Sequence, residues 1–190
     1  MSEGGLRVPL IISGPGVKKG KNHNFAFVTD IAATISDMVF EEVDQRIIGK
    51  SLKNSLAGAN ENNYKDSEAI GLEVTGNSAL FKGNYKIVRN RPPHGSNEWE
   101  LYNLYKDPGE TQNLASKMPD KLFELLKDYD LYVEKYGVIE LPQDYGWAEE
   151  MTVNTFKRNY LPLLWRAIFL IIFIASIVIF FIRRRKSHKN

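Results

Sequence analysis

Apolar and polar positions follow three different rhythms along this chain, and each predicts a different kind of element. The longest apolar stretch lies towards the C-terminus, where residues 167–182 are interrupted only by Ser176. At 1.5 Å per residue this run makes about 24 Å of helix, and residues 161–182 together make about 33 Å, enough to cross a hydrocarbon core of about 30 Å. Arg166 then lies close to the boundary, where its guanidinium can snorkel to the headgroups, with Tyr160 and Trp165 at the same end as interfacial aromatics. Short β-prone runs occupy residues 69–74, 78–81, 85–89 and 99–102. These runs are separated by Gly76-Asn77, Gly83-Asn84 and the loop 91–97, so the pattern predicts an antiparallel meander. A helical period follows Pro119. Leu122, Leu125, Leu126, Tyr129, Tyr132, Val133 and Tyr136 recur on one stripe before Gly137, and the stripe is expected to pack on one face of the sheet.

Nearer the N-terminus, residues 6–12 read as a strand with Pro9 near its start, followed by the turn Ser13-Gly14-Pro15-Gly16. Thr29 or Asp30 is expected to cap a helix that carries Ile31, Ile35, Met38 and Val39 on one apolar face. Residues 57–67 are polar and turn-rich. The expected organisation is α+β, with a first segment 1–58, a linker or loop 59–67, and a sheet-and-helix subdomain 68–150. A juxtamembrane linker 151–160, a transmembrane helix 161–182 and a basic tail 183–190 complete it.

Charge sharpens this division. Of the 25 Lys and Arg, six lie from Leu161 onwards together with none of the 23 acids, so residues 1–160 carry 19 bases against 23 acids, a net charge of −4. A mildly acidic body argues against a nucleic-acid partner. The basic cluster Arg183, Arg184, Arg185, Lys186 and Lys189 directly after the apolar run places that end in the cytoplasm and the body on the extracytoplasmic side. The expected partner of residues 161–182 is thus the lipid bilayer. The N-terminus, Met1-Ser2-Glu3-Gly4-Gly5, has no basic and apolar export signal. Either the basic end is translocated against the charge rule, or an upstream part exists; the second is the expectation here.

Residue chemistry alone points to no catalytic, cofactor-binding or metal site. With no cysteine there is no thiolate nucleophile, disulfide or zinc–thiolate site in the chain as given. His23, His94 and His188 are far apart in sequence, none with a ligand-spaced partner, and the pairs Glu41/Glu42 and Asp128/Asp130 read as solvated faces.

A family resemblance adds what these features lack. Glu3-Gly4-Gly5-Leu6-Arg7-Val8-Pro9-Leu10-Ile11 followed by Gly14-Pro15-Gly16 resembles the EGGxRVPxI…xPG segment of sulfatases. In the family's order come Thr29-Asp30-Ile31 with Thr34, Gly49-Lys50-Ser51-Leu52 with Leu56-Ala57-Gly58, and Glu73 through Gly76 with Ala79-Leu80-Phe81-Lys82-Gly83-Asn84-Tyr85-Lys86. Trp99-Glu100-Leu101-Tyr102-Asn103-Leu104, Asp107-Pro108-Gly109-Glu110 and Asn113-Leu114-Ala115 continue the match, and residues 132–139 are similar to the end of bacterial arylsulfatases. The chain therefore resembles the C-terminal region of a sulfatase over about residues 3–140.

The resemblance implies the C-terminal part of an alkaline-phosphatase-like fold and, for the intact enzyme, hydrolysis of sulfate esters. It also implies a formylglycine made from Cys or Ser in a C/S-x-P-x-R motif, and Ca2+ held by Asp and Asn side chains. None of these is expected among the residues of this chain, which on this reading is inactive alone. Ser13-Gly14-Pro15-Gly16-Val17 has the Ser-x-Pro of such a motif but Val17 in the arginine position, and matches the family's ordinary turn instead. Glu3-Gly4-Gly5 is expected to shape backbone near the active-site rim. Two alternatives stay open: a non-catalytic, membrane-tethered interaction module, and a piece of a related phosphoesterase or phosphonate hydrolase.

Overall fold

The computed structural model describes residues 1–142 and 145–187, the side chains of 147, 148 and 180–187 excepted. They form two compact units, Met1–Glu140 and the remainder from Leu141.

The first unit is built on a four-stranded antiparallel meander in the order β1 (Ala69–Val74), β2 (Asn77–Lys82), β3 (Tyr85–Arg89), β4 (Trp99–Asn103). Two tight connections set its register. Thr75 and Gly76 both adopt positive φ, 54° and 76°, the pattern of a type I′ turn whose twist matches that of the flanking strands, and Val74 pairs with Asn77 across it. Gly83 takes φ 56° at the next turn, where Lys82 pairs with Tyr85.

Strand pleating sorts the side chains onto two faces, and both faces are covered. On one, Leu80, Ile87 and Leu101 pack with Leu125 and Tyr129 of a long helix, Pro119–Tyr136, with Leu122, Tyr132 and Val133 around them. That helix begins at the proline and ends where Gly137 adopts φ 63°, as the apolar stripe predicts. On the other face Ala79, Phe81, Val88 and Tyr102 pack with Met1, Leu6, Ile70 and Leu104, and Phe25 meets Phe81 at 5.4 Å between ring centres.

The N-terminal segment departs from expectation. Residues 6–12 are no strand: Glu3–Leu6 is a single helical turn, α1, and no strand among the described residues pairs with the residues that follow. A strand needs a ladder of backbone partners, and without one Val8, Leu10, Ile11 and Ile12 are left exposed, Ile11 to 90%. The expected helix is present as α2, Thr29–Phe40, but Val28 stands at its N-cap in place of Thr29 or Asp30, and its apolar stripe of Ile31, Ile35, Met38 and Val39 faces solvent, while Asp30, Ala33 and Thr34 are buried. A one-turn helix, α3 (Lys53–Leu56), follows, and the long helix Pro119–Tyr136 is α4.

In the second unit, α5 (Trp147–Asn159) and α6 (Leu161–Ser187) run almost without interruption, Leu164 N–H donating to Tyr160 O at 2.9 Å. Residues 151–159 of the expected juxtamembrane linker are helical, with Tyr160 at the C-cap of α5. Within the second unit, α6 is long and apolar enough to cross a membrane.

Candidate functional site

The stretch Glu3-Gly4-Gly5 is held by a buried ionic latch. Lys86 stands in the middle of β3 on the face shared with Val88, and its side chain is entirely excluded from solvent. Its ammonium lies 2.7 Å from Glu110 Oε1 and 3.0 Å from Glu3 Oε1, donates to Met1 O at 2.9 Å, and sits 5.1 Å over the ring of Phe81. Glu110 closes the loop by accepting Glu3 N–H at Oε2, 2.7 Å. The chain holds Glu110 in the left-handed region, φ 53°, which non-glycine residues seldom occupy; the preceding Asp107 fixes the turn by accepting Thr111 and Gln112 N–H at Oδ2, each at 2.8 Å. Those backbone donors hold the Asp107 carboxyl below the usual range. Nearby, burial and the Glu100 carboxylate push the Tyr102 hydroxyl up to about 12.

A second hub centres on the buried Asp30. Its carboxylate accepts Phe27 N–H at 2.8 Å, Lys50 N–H at 2.8 Å and the Tyr64 hydroxyl, while Thr34 Oγ1 donates to Asp30 O and accepts Leu52 N–H. Tyr64 in turn meets Phe25 edge-on, so the polar hub is tied to the aromatic pair that covers the sheet. Gly49 is obligatory here, since a Cβ would lie 2.2 Å from Thr29 O. Thr29-Asp30-Ile31 with Thr34 and Gly49-Lys50-Ser51-Leu52, two motifs separate in sequence, are thus halves of one hydrogen-bonded joint.

A third cluster crosses the sheet under the end of α4. Glu73, Ser78, Arg89 and Trp99 form a cross-strand row. Glu73 accepts the Tyr129 hydroxyl at 2.7 Å and the Ser78 hydroxyl at 2.9 Å, and Arg89 stacks on Trp99 and pairs with Glu140 at 2.7 Å. Burial pushes the Glu73 carboxyl above its usual range despite these donors.

The residues singled out by sequence do not converge. His23 and His94 are exposed and His188 lies outside the described residues. Glu41, Glu42 and Asp130 are exposed, and Asp128 pairs with Lys82 at 2.7 Å. Among the described residues no three His, Asp or Glu side chains gather, and Ser13 precedes an exposed turn with Val17 where the formylglycine motif needs arginine. The latch itself escaped sequence reading. Its signal is a lysine at an inward-facing position of an alternating strand, which demands a carboxylate partner that the sequence does not locate.

Comparison with known proteins adds the following. Residues 1–129 match the family model described as N-sulphoglucosamine sulphohydrolase, C-terminal. An uncharacterized sulfatase of Schizosaccharomyces pombe is 34% identical over 166 residues, covering 76% of this chain and 28% of that protein. A Delta 4,5-hexuronate-2-O-sulfatase of Bacteroides thetaiotaomicron is 29% identical over 167 residues, covering 82% of this chain and 33% of the relative. Among solved structures, a 2-O GAG sulfatase superposes with a TM-score of 0.52 at 27% identity, over 70% of this chain and 31% of its own. The chain spans roughly a third or less of the length of these relatives.

Proposed function

Because the chain belongs to the sulfatase family, as a C-terminal portion, we propose that it supplies the C-terminal subdomain of a membrane-anchored sulfuric ester hydrolase whose substrate is a sulfated carbohydrate. The match of residues 1–129 carries this reading. The carbohydrate follows from two relatives, a hexuronate 2-O-sulfatase and a 2-O GAG sulfatase, and favours a 2-O-sulfated uronic acid as the group attacked.

On this reading the chain contributes position, not the reacting groups. The latch of Lys86 and Glu110 fixes the Glu3-Gly4-Gly5 backbone on the sheet, and the joint around Asp30 fixes α2. The exposed faces of residues 8–12 and of α2 are apolar surface suited to burial against the rest of a sulfatase. Sulfate ester cleavage needs a nucleophile that these residues do not offer. Helix α6 is the anchor, with the body outside and the basic tail inside.

Two measurements test the reading. The purified chain, given calcium and either an aryl sulfate or a 2-O-sulfated hexuronate disaccharide, is expected to show no turnover above a heat-treated control; turnover would overturn the division of labour. Sequencing the transcript upstream of the Met1 codon is expected to reveal an in-frame C/S-x-P-x-R motif. An unrelated upstream sequence with a ribosome start at Met1 would support the interaction module instead.

A further inference from the structure

Between Glu3 and Asp30 the chain carries Arg7, Lys18, Lys19, Lys21 and His23 and not one acidic residue, although residues 1–160 as a whole are acidic. Four of these bases fall within six positions, 18–23, and all six are exposed. The loop is held at both ends. Lys18 N–H donates to Leu56 O at 2.8 Å, Asn24 Nδ2 donates to Glu61 O at 2.9 Å, and Asn24 N–H donates to Asn22 Oδ1 at 2.8 Å. The stem of Lys18 lies over Gly58, which has φ 98° and where a Cβ would come within 2.5 Å of Lys18 Cδ. Where this fold uses a lysine to hold itself together it supplies a carboxylate, as for Lys50, Lys53, Lys82, Lys86 and Lys121. Among the described residues the ammonium groups of Lys18, Lys19 and Lys21 have no such partner. They form a fixed, uncompensated cationic edge on the unit that carries the sulfatase match.

We infer that the loop 18–23 is a docking site for the anionic groups of a sulfated polysaccharide, separate from any site of ester cleavage. The inference rests on the sulfated-carbohydrate reading above, because that substrate class is a polyanion. Lysine ammoniums are strongly hydrated point charges, suited to sulfate groups met in solution without dehydration or strict geometry. Contacts of this kind grip a polymer weakly at each point and release its counterions, so affinity falls steeply with salt. The loop has no interleaved aromatics on which bases could stack, which favours a sulfated sugar polymer over a single-stranded nucleic acid. Glu61 is exposed and its backbone carbonyl accepts Asn24 Nδ2, so one acidic residue adjoins the far end of the loop without an ion pair to its lysines among the described residues.

The test is direct binding of the full-length chain, in neutral detergent, to a size-defined heparin oligosaccharide and to the same oligosaccharide after desulfation. Combined Lys18→Gln, Lys19→Gln and Lys21→Gln is expected to weaken binding about tenfold or more at moderate salt and to lower the slope of log K against log salt by about two to three. Glu61→Gln is expected to strengthen it, and combined Arg183→Gln, Arg184→Gln and Arg185→Gln to leave it nearly unchanged. Circular dichroism identical to the parent shows that the loop variant is folded. Equal affinity for the desulfated oligosaccharide, or parent-like binding by the loop variant, overturns the proposal. So does a loop variant that loses only binding to phosphatidylserine vesicles, which would make the partner a membrane surface. The assay reads no turnover, so it fails or succeeds independently of the upstream motif on which the sulfatase reading depends.

Discussion

Lys86 Nζ lies 2.7 Å from Glu110 Oε1, and the lysine side chain is wholly excluded from solvent while that of Glu110 is 7% exposed. A charge so placed is tolerable only while its partners stay. Lys86→Met leaves Glu3 and Glu110 facing each other without the ammonium between them. It is expected to cost about 3–5 kcal/mol, the usual penalty for breaking a buried pair from one side. Adding Glu3→Gln and Glu110→Gln to Lys86→Met is expected to recover part of the loss, since the orphaned charges are removed with it. Urea midpoints of the three proteins decide; a triple variant less stable than Lys86→Met would refute the account.

Glu73 supplies a pH dependence of defined sign. Burial raises its carboxyl above the ordinary value, against hydrogen bonds from Tyr129 and Ser78 and the charge of Arg89, with Glu140 adding to the rise. The folded state therefore keeps this proton to higher pH than the unfolded state. Its stabilising contribution is complete below the unfolded value near 4.5 and is lost as pH rises through the folded one. Glu73→Gln removes that loss, so the stability of the variant relative to the parent is expected to increase from pH 4 to pH 7. The lowered carboxyls of Glu68, Glu124 and Asp107 act in the opposite direction and cancel in the difference. Parallel profiles would rule the assignment out.

Gly71 on β1 is a contact made possible by a missing side chain. A Cβ there would fall 2.4 Å from the Tyr132 ring of α4. Gly71→Ala is expected to push the helix off the sheet at a cost of about 1–3 kcal/mol, and the pairing of Tyr132→Ala with it to be less damaging than the two single losses summed. Thermal unfolding of the four members of the cycle measures this, and strict additivity would show that the ring yields freely.

The orientation of α6 can be read with introduced thiols, because the chain has none of its own. In intact cells an impermeant maleimide is expected to label Ser67→Cys and to reach Ser187→Cys only after permeabilisation. The reverse pattern would place the basic end outside.

The meander, α4 and the apolar helix were legible because each announces itself locally: Gly76 and Gly83 at the turns, a proline start, a glycine stop and an uninterrupted apolar run, although the first turn is Thr75-Gly76 and not the expected Gly76-Asn77, Asn77 opening β2. What escaped was set by partners distant in sequence. Residues 6–12 have the apolar, β-prone make-up of a strand, but pairing is a property of two segments and none of the described residues pairs with them. The stripe on α2 reads as a core-facing side, yet the side buried within this unit is Asp30, Ala33 and Thr34, chosen by the hydrogen bonds of Lys50, Leu52 and Tyr64. In the sequence Lys86 stands out only as part of a motif, for a charged residue in a strand says nothing of where its counter-charge will come from. The absence of cysteine and the order of the motifs were legible as composition and family pattern, whereas the latch and the Asp30 joint required coordinates.

The two sides of the sheet must also close in order. One side is completed by α4, all of it within residues 69–136, and needs only short loops to form. The other waits for Glu3 and Met1 to return to Lys86 across 83 and 85 residues, a closure that carries a larger entropic cost. The turn at Glu3–Leu6 is therefore expected to open before the sheet does, uncovering part of Phe81, Val88 and Tyr102 while the strand ladder stays intact. In amide exchange, α1 should open at lower free energy than β2 and β3.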